Sequence, residues 1–297
     1  MILGFSLNQF SETADTKPGT LPAFREMSGP TLGYSWVRPS YIEETYINAM
    51  ERTEDFNMGN EFRALAGFMS VKTGSDRDRW IFNVSNQQGL RLAPGRFALG
   101  QVGMAGRAAA SKWDNALLYA NLNLFWRTDW PLLSTWVSHM EANKGRYLDR
   151  EHQVVLGGDN GLRGYRNNSF TGGQAMLWNV ENRFFFPGEY MHLFRLGAAV
   201  FFDTGAVVPE GSGLSLKRLK SDVGAGLRFS STRSRSGGVF RMDFAYALND
   251  GPGGNRFVVA IRGGQAFEFF TSSTKRLRTT HSSRLNEIAP PAFPVLQ

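Results

Sequence analysis

Apolar side chains return at every second position in segment after segment of this chain, and no other feature narrows its fold so much. A period of two belongs to strands with one apolar and one polar face, whereas a helix repeats about every 3.6 residues. Leu32, Tyr34 and Trp36 open the series. Leu118, Ala120, Leu122, Leu124 and Trp126 alternate with Tyr119, Asn121, Asn123 and Arg127. Val223, Ala225, Leu227 and Phe229 alternate with Asp222, Gly224, Gly226 and Arg228, and Phe240, Met242, Phe244 and Tyr246 with Arg241, Asp243 and Ala245. Near the end, Phe257, Val259, Ile261, Phe267 and Phe269 share one face, with Arg256, Arg262, Gly264 and Glu268 on the other. The stretch 97–107 is much less regular, though a strand is placed there as well. Segment 11–28, with Pro18, Gly19 and Pro22, reads as a long loop.

Alternation leaves two readings, because a soluble sandwich and a membrane barrel both show one apolar face per strand. Strand length and the chemistry of the second face favour the barrel. The segments run to about ten residues or more, as a tilted membrane crossing requires. Their polar faces mix charges of both signs with glycines, as a lumen needs. Connections are short at Pro187-Gly188, long over 207–220 and intermediate through Asn249-Asp250-Gly251-Pro252-Gly253-Gly254, the alternation expected of two barrel rims. No apolar run reaches the ~18 residues of a spanning helix, and the mean hydropathy of −0.29 suits strands that are apolar on one side only. The expected fold is all-β, a transmembrane antiparallel meander barrel. Alternation starts directly after Met1 with no export signal before it, so an exported barrel is expected to begin within a longer chain.

The formal net charge of +7 arises from 33 Lys+Arg against 26 Asp+Glu. These residues are scattered along strands and turns, often beside a carboxylate, as in Arg241 and Asp243, so no nucleic-acid partner is expected. The absence of cysteine removes disulfides and thiolate metal sites. His139, His152, His192 and His281 show no metal-ligand spacing. The glycines of 161–164 and of Thr171-Gly172-Gly173 have no following helix whose N-terminus could face a phosphate. No catalytic residue, metal or cofactor is expected, and the chain is not read as an enzyme.

Those glycines belong to a run, Leu156-Gly157-Gly158-Asp159-Asn160-Gly161-Leu162-Arg163-Gly164-Tyr165, that resembles the long loop of the bacterial surface antigen family. That family comprises the C-terminal outer-membrane barrels of BamA/TamA-type assembly factors. Its hydrophobic-Arg-Gly-aromatic tetrapeptide is matched by Leu162, Arg163, Gly164 and Tyr165. Its Phe-x-Asp element is matched within Phe201-Phe202-Asp203-Thr204-Gly205, and Asn179-Val180-Glu181-Asn182-Arg183 resembles the acidic strand segment between the two. The resemblance implies that the loop folds back into the barrel and that its arginine reaches acidic residues on the inner wall. Periodicity supplies a separate argument. Met176, Trp178, Val180 and Phe184 form one apolar face, and Phe194, Leu196, Ala198, Val200 and Phe202 the next, which turns Glu181, Arg183, Arg195, Phe201 and Asp203 to the lumen. On the residues alone, Arg163 reads rather as a solvated loop residue, with Glu181 paired locally to Arg183. With the three elements in this order and on these faces, a buried cluster is expected.

Arg262-Gly263-Gly264-Gln265-Ala266-Phe267-Glu268-Phe269 fits the polar-x-Gly-x-x-aromatic-x-aromatic pattern of a last barrel strand, with Arg262, Gly264, Phe267 and Phe269 at its defining positions. The resemblance spans about 29–270 and is strongest over 153–205. Domain boundaries are set at 1–270 for the barrel, truncated on its N-terminal side, and 271–297 for a disordered tail. Five alternating segments follow the loop motif and eight or nine precede it, about 14 of the roughly 16 strands that the family's barrel requires. The resemblance implies insertion of outer-membrane proteins or translocation of polypeptides in the bacterial outer membrane. The partners implied are lipid, nascent outer-membrane or secreted polypeptides, and periplasmic domains or accessory subunits. It further implies that a weak seam between first and last strands opens to template an incoming strand. A secretion pore, a barrel anchoring an upstream enzyme such as a patatin-like lipase, and a passive porin stand as alternatives.

Overall fold

A computed structural model describes residues 2–8, 25–110, 112–149, 152–213, 215–233 and 238–265, without the side chains of 2–8 and 216. Its first strands are β1 (Ile2–Asn8), β2 (Arg25–Arg38), β3 (Tyr41–Thr45), β4 (Thr53–Asn57), β5 (Asn60–Met69) and β6 (Arg79–Ala93). Next come β7 (Arg96–Ala109), β8 (Lys112–Thr128), β9 (Ser134–Arg146), β10 (Val154–Leu156) and β11 (Phe170–Gly172). The last are β12 (Gln174–Phe185), β13 (Phe194–Val208), β14 (Lys220–Ser231), β15 (Val239–Ala247) and β16 (Phe257–Gly263). Leaving aside the short β10–β11 pair of the loop itself, nine strands precede the loop motif and five follow it, the number read from the sequence, but only twelve of these fourteen lie in the main sheet. Two of the nine, β3 and β4, leave the main sheet to form a hairpin of their own.

The main sheet is a meander of 12 strands in the order β1-β2-β5-β6-β7-β8-β9-β12-β13-β14-β15-β16. Antiparallel ladders join each strand to the next, as in β12 with β13 and β13 with β14. Every strand connects to its spatial neighbour, so this topology needs no crossover. Among the described residues no ladder joins β16 to β1, and the barrel is not closed. No helix among the described residues is long and apolar enough to cross a membrane; the crossing elements are strands.

A single curved sheet excludes a sandwich, and the exposure of alternate side chains settles its polarity. Trp178 is 45% exposed and Phe244 39%, whereas Asp203 is 0% exposed. Apolar side chains therefore face outward to lipid and the charges face inward, the reverse of a soluble protein. Phe269 and Phe267, and with them the tail 271–297, lie outside the described residues.

Two local expectations are corrected, and a third, the strand over 97–107, holds. Arg25 to Ser28, read as the end of a loop, form the start of β2 and pair with β1. Connection lengths do not alternate cleanly between the rims. On the upper rim, the one carrying loop 147–173, the β7–β8 connection is only Ala110 and Ser111, while on the lower rim 39–59 carries the whole β3–β4 hairpin. The irregular stretch 97–107 lies in a full strand, β7. It blurs the alternation because Phe97 and Leu99 point inward and are buried against Phe56 of that hairpin. A strand apolar on both faces loses its period-two signature.

Candidate functional site

Loop 147–173 leaves β9 at the upper rim and turns back into the lumen. Its root is fixed by charge. Arg107 on β7 donates Nη2 to both carboxylate oxygens of Asp149, at 2.7 and 2.6 Å, and Arg25 approaches to 3.3 Å. His152 Nδ1 lies 3.3 Å from the same carboxylate and 3.1 Å from Asn115. Burial alone would push the Asp149 carboxyl up, but the contacts with His152, Arg107 and Arg25 outweigh it and hold the pKa at about 2.

Below the short β10–β11 ladder the chain makes tight turns, with Leu162 N–H donating to Gly157 O at 2.9 Å and Tyr165 N–H to Leu162 O at 3.1 Å. Leu162 is fully buried in an apolar cluster with Leu156, Tyr165, Ala175, Leu177 and Ala247. The Tyr165 hydroxyl lies 3.1 Å from the carbonyls of both Ser221 and Asn249, which pins the loop to the wall formed by β14 and β15. Two glycines permit this approach. A Cβ on Gly164 would lie 2.5 Å from Asp222 Cβ, and one on Gly205 would lie 2.8 Å from Met176 O and 3.0 Å from Leu156 Cδ1.

Arg163 sits at the tip. Its Nε and Nη2 grip Asp203 Oδ2 and Oδ1 at 2.7 and 2.8 Å, a bidentate fork, and its Nη1 donates to Glu181 Oε2. The guanidinium stacks over the Phe201 ring, with Cζ 3.5 Å from the centroid. The Arg163 side chain is 5% exposed and both carboxylates are fully buried. A guanidinium this buried needs paired acceptors, and the fork matches carboxylate geometry on two edges at once. The strand registers decide the convergence: Asn179 stands opposite Asp203 and Glu181 opposite Phe201, so the acids lie two residues apart along adjacent inward faces.

The surroundings extend well beyond the residues singled out from sequence. Asn179 Nδ2 donates to Asp203 Oδ1 at 2.7 Å and to Gly161 O at 2.6 Å, linking wall and loop. Glu181 Oε1 accepts from Arg183 Nε at 2.7 Å, and Arg228 Nη2 lies 3.4 Å from Glu181 Oε2. Arg228 in turn donates to Asp243 at 2.6 Å. Inward periodicity had marked Arg228, Arg241 and Asp243 as lumenal, but only the sheet's curvature brings them to this cluster. Arg262 also reaches the loop. It donates to Gly158 O at 2.7 Å and pairs with Asp159, tying the last strand to the loop. Gly264 follows with φ +84°, and its N–H donates to Val239 O at 2.6 Å.

The fold and this site define a class: an outward-apolar antiparallel barrel whose long upper loop inserts an arginine into an acidic inner wall. The Omp85 superfamily domain matches residues 31–274, and the chain belongs to that superfamily. The match agrees with the resemblance carried by the loop tetrapeptide and its acidic partners. The superfamily is one of outer-membrane protein insertion and translocation. No curated protein matches the chain.

Proposed function

We propose that this barrel inserts or translocates polypeptides at the bacterial outer membrane in the manner of BamA/TamA-type assembly factors, with loop 147–173 seated in the lumen as a lock. The observation that carries this reading is the Arg163 fork on Asp203 and Glu181, reached from a loop that must fold inward to make it. Leu162, Gly164, Tyr165, Phe201 and Gly205 serve as the packing that lets the arginine arrive. Among the described residues β16 pairs with β15 alone, and its other edge supports client-strand templating at that side of the sheet. In this reading residues 1–270 form the barrel and the client is an unfolded outer-membrane or secreted polypeptide.

Reconstitution tests it. The protein in lipid vesicles is expected to accelerate folding of an unfolded outer-membrane barrel added from the lumenal side, and Arg163→Ala is expected to remove most of that acceleration. Folded protein that neither accelerates client insertion nor passes a polypeptide would sink the proposal.

A further inference from the structure

The β3–β4 hairpin hangs from the lower rim, opposite the loop, and its path through the molecule is unusual for a turn. Its two ends meet: Met58 N–H donates to Ser40 O at 2.6 Å, so 41–57 is a self-contained excursion between β2 and β5. Ile42 stands opposite Phe56 in its ladder, and both are buried against Phe97, Leu99, Phe125 and Val137 on the inner faces of β7, β8 and β9. The other face of the hairpin, with Tyr41, Glu43, Thr53 and Asp55, is exposed. The hairpin thus has an apolar side against the wall and a polar side toward solvent.

Its tip crosses to the far wall. Thr135 Oγ1 on β9 donates to Tyr46 O at 2.6 Å, and Arg183 Nη1 on β12 donates to Ile47 O at 2.9 Å and Asn48 Oδ1 at 3.0 Å. Glu51 pairs with Arg195 on β13, and Met50 packs with Phe185 and Val239. Gln265, beyond β16, donates to Asn48 O at 2.7 Å. The tip itself is knotted by Glu54, whose Oε1 accepts from the N–H groups of Asn48 and Ala49 at 2.7 and 2.9 Å. An element rooted between β2 and β5 that touches β7, β9, β12, β13 and the end of β16 spans the lumen. It obstructs the barrel from below as the loop does from above.

The two obstructions share one fastening. Glu181 holds Arg163 of the loop on Oε2 and Arg183 on Oε1, and Arg183 holds the hairpin tip. Asp203, by contrast, contacts the loop arginine and Asn179 but no residue of the hairpin. We infer that the β3–β4 hairpin is a lumenal plug on the lower rim, seated through Arg183 on the same Glu181 carboxylate that seats the Arg163 loop. Any polypeptide entering the lumen from below must first displace this hairpin. This rests on the geometry of the lumen and stands whether the barrel inserts clients or secretes them.

The chain has no cysteine, so single cysteines report each obstruction cleanly. Ala49→Cys on the hairpin and Leu162→Cys on the loop, where the native side chain is fully buried, would be labelled with a bulky maleimide, using the full-length protein in lipid nanodiscs with both rims open to solution. Glu181→Gln is expected to raise labelling at both sites by about tenfold or more, whereas Asp203→Asn raises it at Leu162→Cys only. Native labelling at Ala49→Cys in the Glu181→Gln background overturns the shared fastening, as does equal loosening of both sites by Asp203→Asn. Excising 41–57 leaves Pro39-Ser40-Met58-Gly59 as a turn between paired strands; in the Arg163→Ala background, where the loop is unseated, the excision is expected to raise single-channel conductance about tenfold over Arg163→Ala alone. Unchanged conductance from a folded, heat-modifiable barrel overturns the plug. If the excision variant does not fold, labelling of Ala49→Cys in the otherwise native protein decides instead: a rate equal to that of unfolded protein means the hairpin is not seated.

Discussion

Replacing Arg163 by alanine is the perturbation whose outcome the geometry fixes most tightly. The substitution removes both arms of the fork on Asp203 and the contact with Glu181. The losses are unequal. Glu181 keeps Arg183 at 2.7 Å and Arg228 at 3.4 Å, but Asp203 is left with the Asn179 amide at 2.7 Å and the backbone N–H of residue 163 at 3.3 Å, neither of them charged, and stands directly opposite another acid, Asp222. Breaking a buried pair by deleting one partner costs about 3–5 kcal/mol, because the remaining charge stays desolvated. A solvated pair would cost about 0.2–1 kcal/mol. The side-chain exposures, 5% for Arg163 and 0% for Glu181 and Asp203, select the larger figure. At about 1.4 kcal/mol per tenfold, ~3 kcal/mol shifts the balance between seated and unseated loop by about two decades. Hydrogen exchange of the amides in 157–169 reads this balance directly, and Arg163→Lys, which keeps the charge but not the fork, is expected to fall in between. Exchange in Arg163→Ala within about fivefold of native would refute the reasoning, since that is the range of a solvated pair.

Other consequences are as definite. Gly164→Ala places a methyl against Asp222 Cβ at 2.5 Å and should unseat the loop at a cost of about 1–3 kcal/mol, visible as faster proteolysis within 157–169 with the barrel intact. Leu227→Arg puts a charge on the outward face of β14 and should lower folded stability in lipid by up to about 2–4 kcal/mol, measured by urea titration of vesicle-bound protein; unchanged stability would argue against lipid contact. Asp149 has a folded pKa of about 2, below its unfolded value of about 3.9, so its contribution is fully present above about pH 4 and is lost as pH falls toward 2. Exchange near the loop root should therefore rise over that window, and Asp149→Asn should flatten the dependence.

The sequence alone determined the strand class, the inward direction of Glu181 and Asp203, and the order of the loop motif and its acidic partners. Those features are local, because a strand's period of two assigns each side chain to a face without knowledge of its neighbours. Register and curvature are not local. Sequence could not place Asn179 across from Asp203, nor bring Arg228 and Asp243 from β14 and β15 into reach of a cluster built on β12 and β13. Nor could it show Arg262 reaching Gly158, a contact between positions 104 residues apart. The β3–β4 hairpin left only an indirect trace, the spoiled alternation of β7, where Phe97 and Leu99 turn apolar side chains into a lumen that elsewhere carries charge. Whether an inward position meets water, an opposing wall or a folded-in segment depends on what the curved sheet surrounds, and only the tertiary structure decides that.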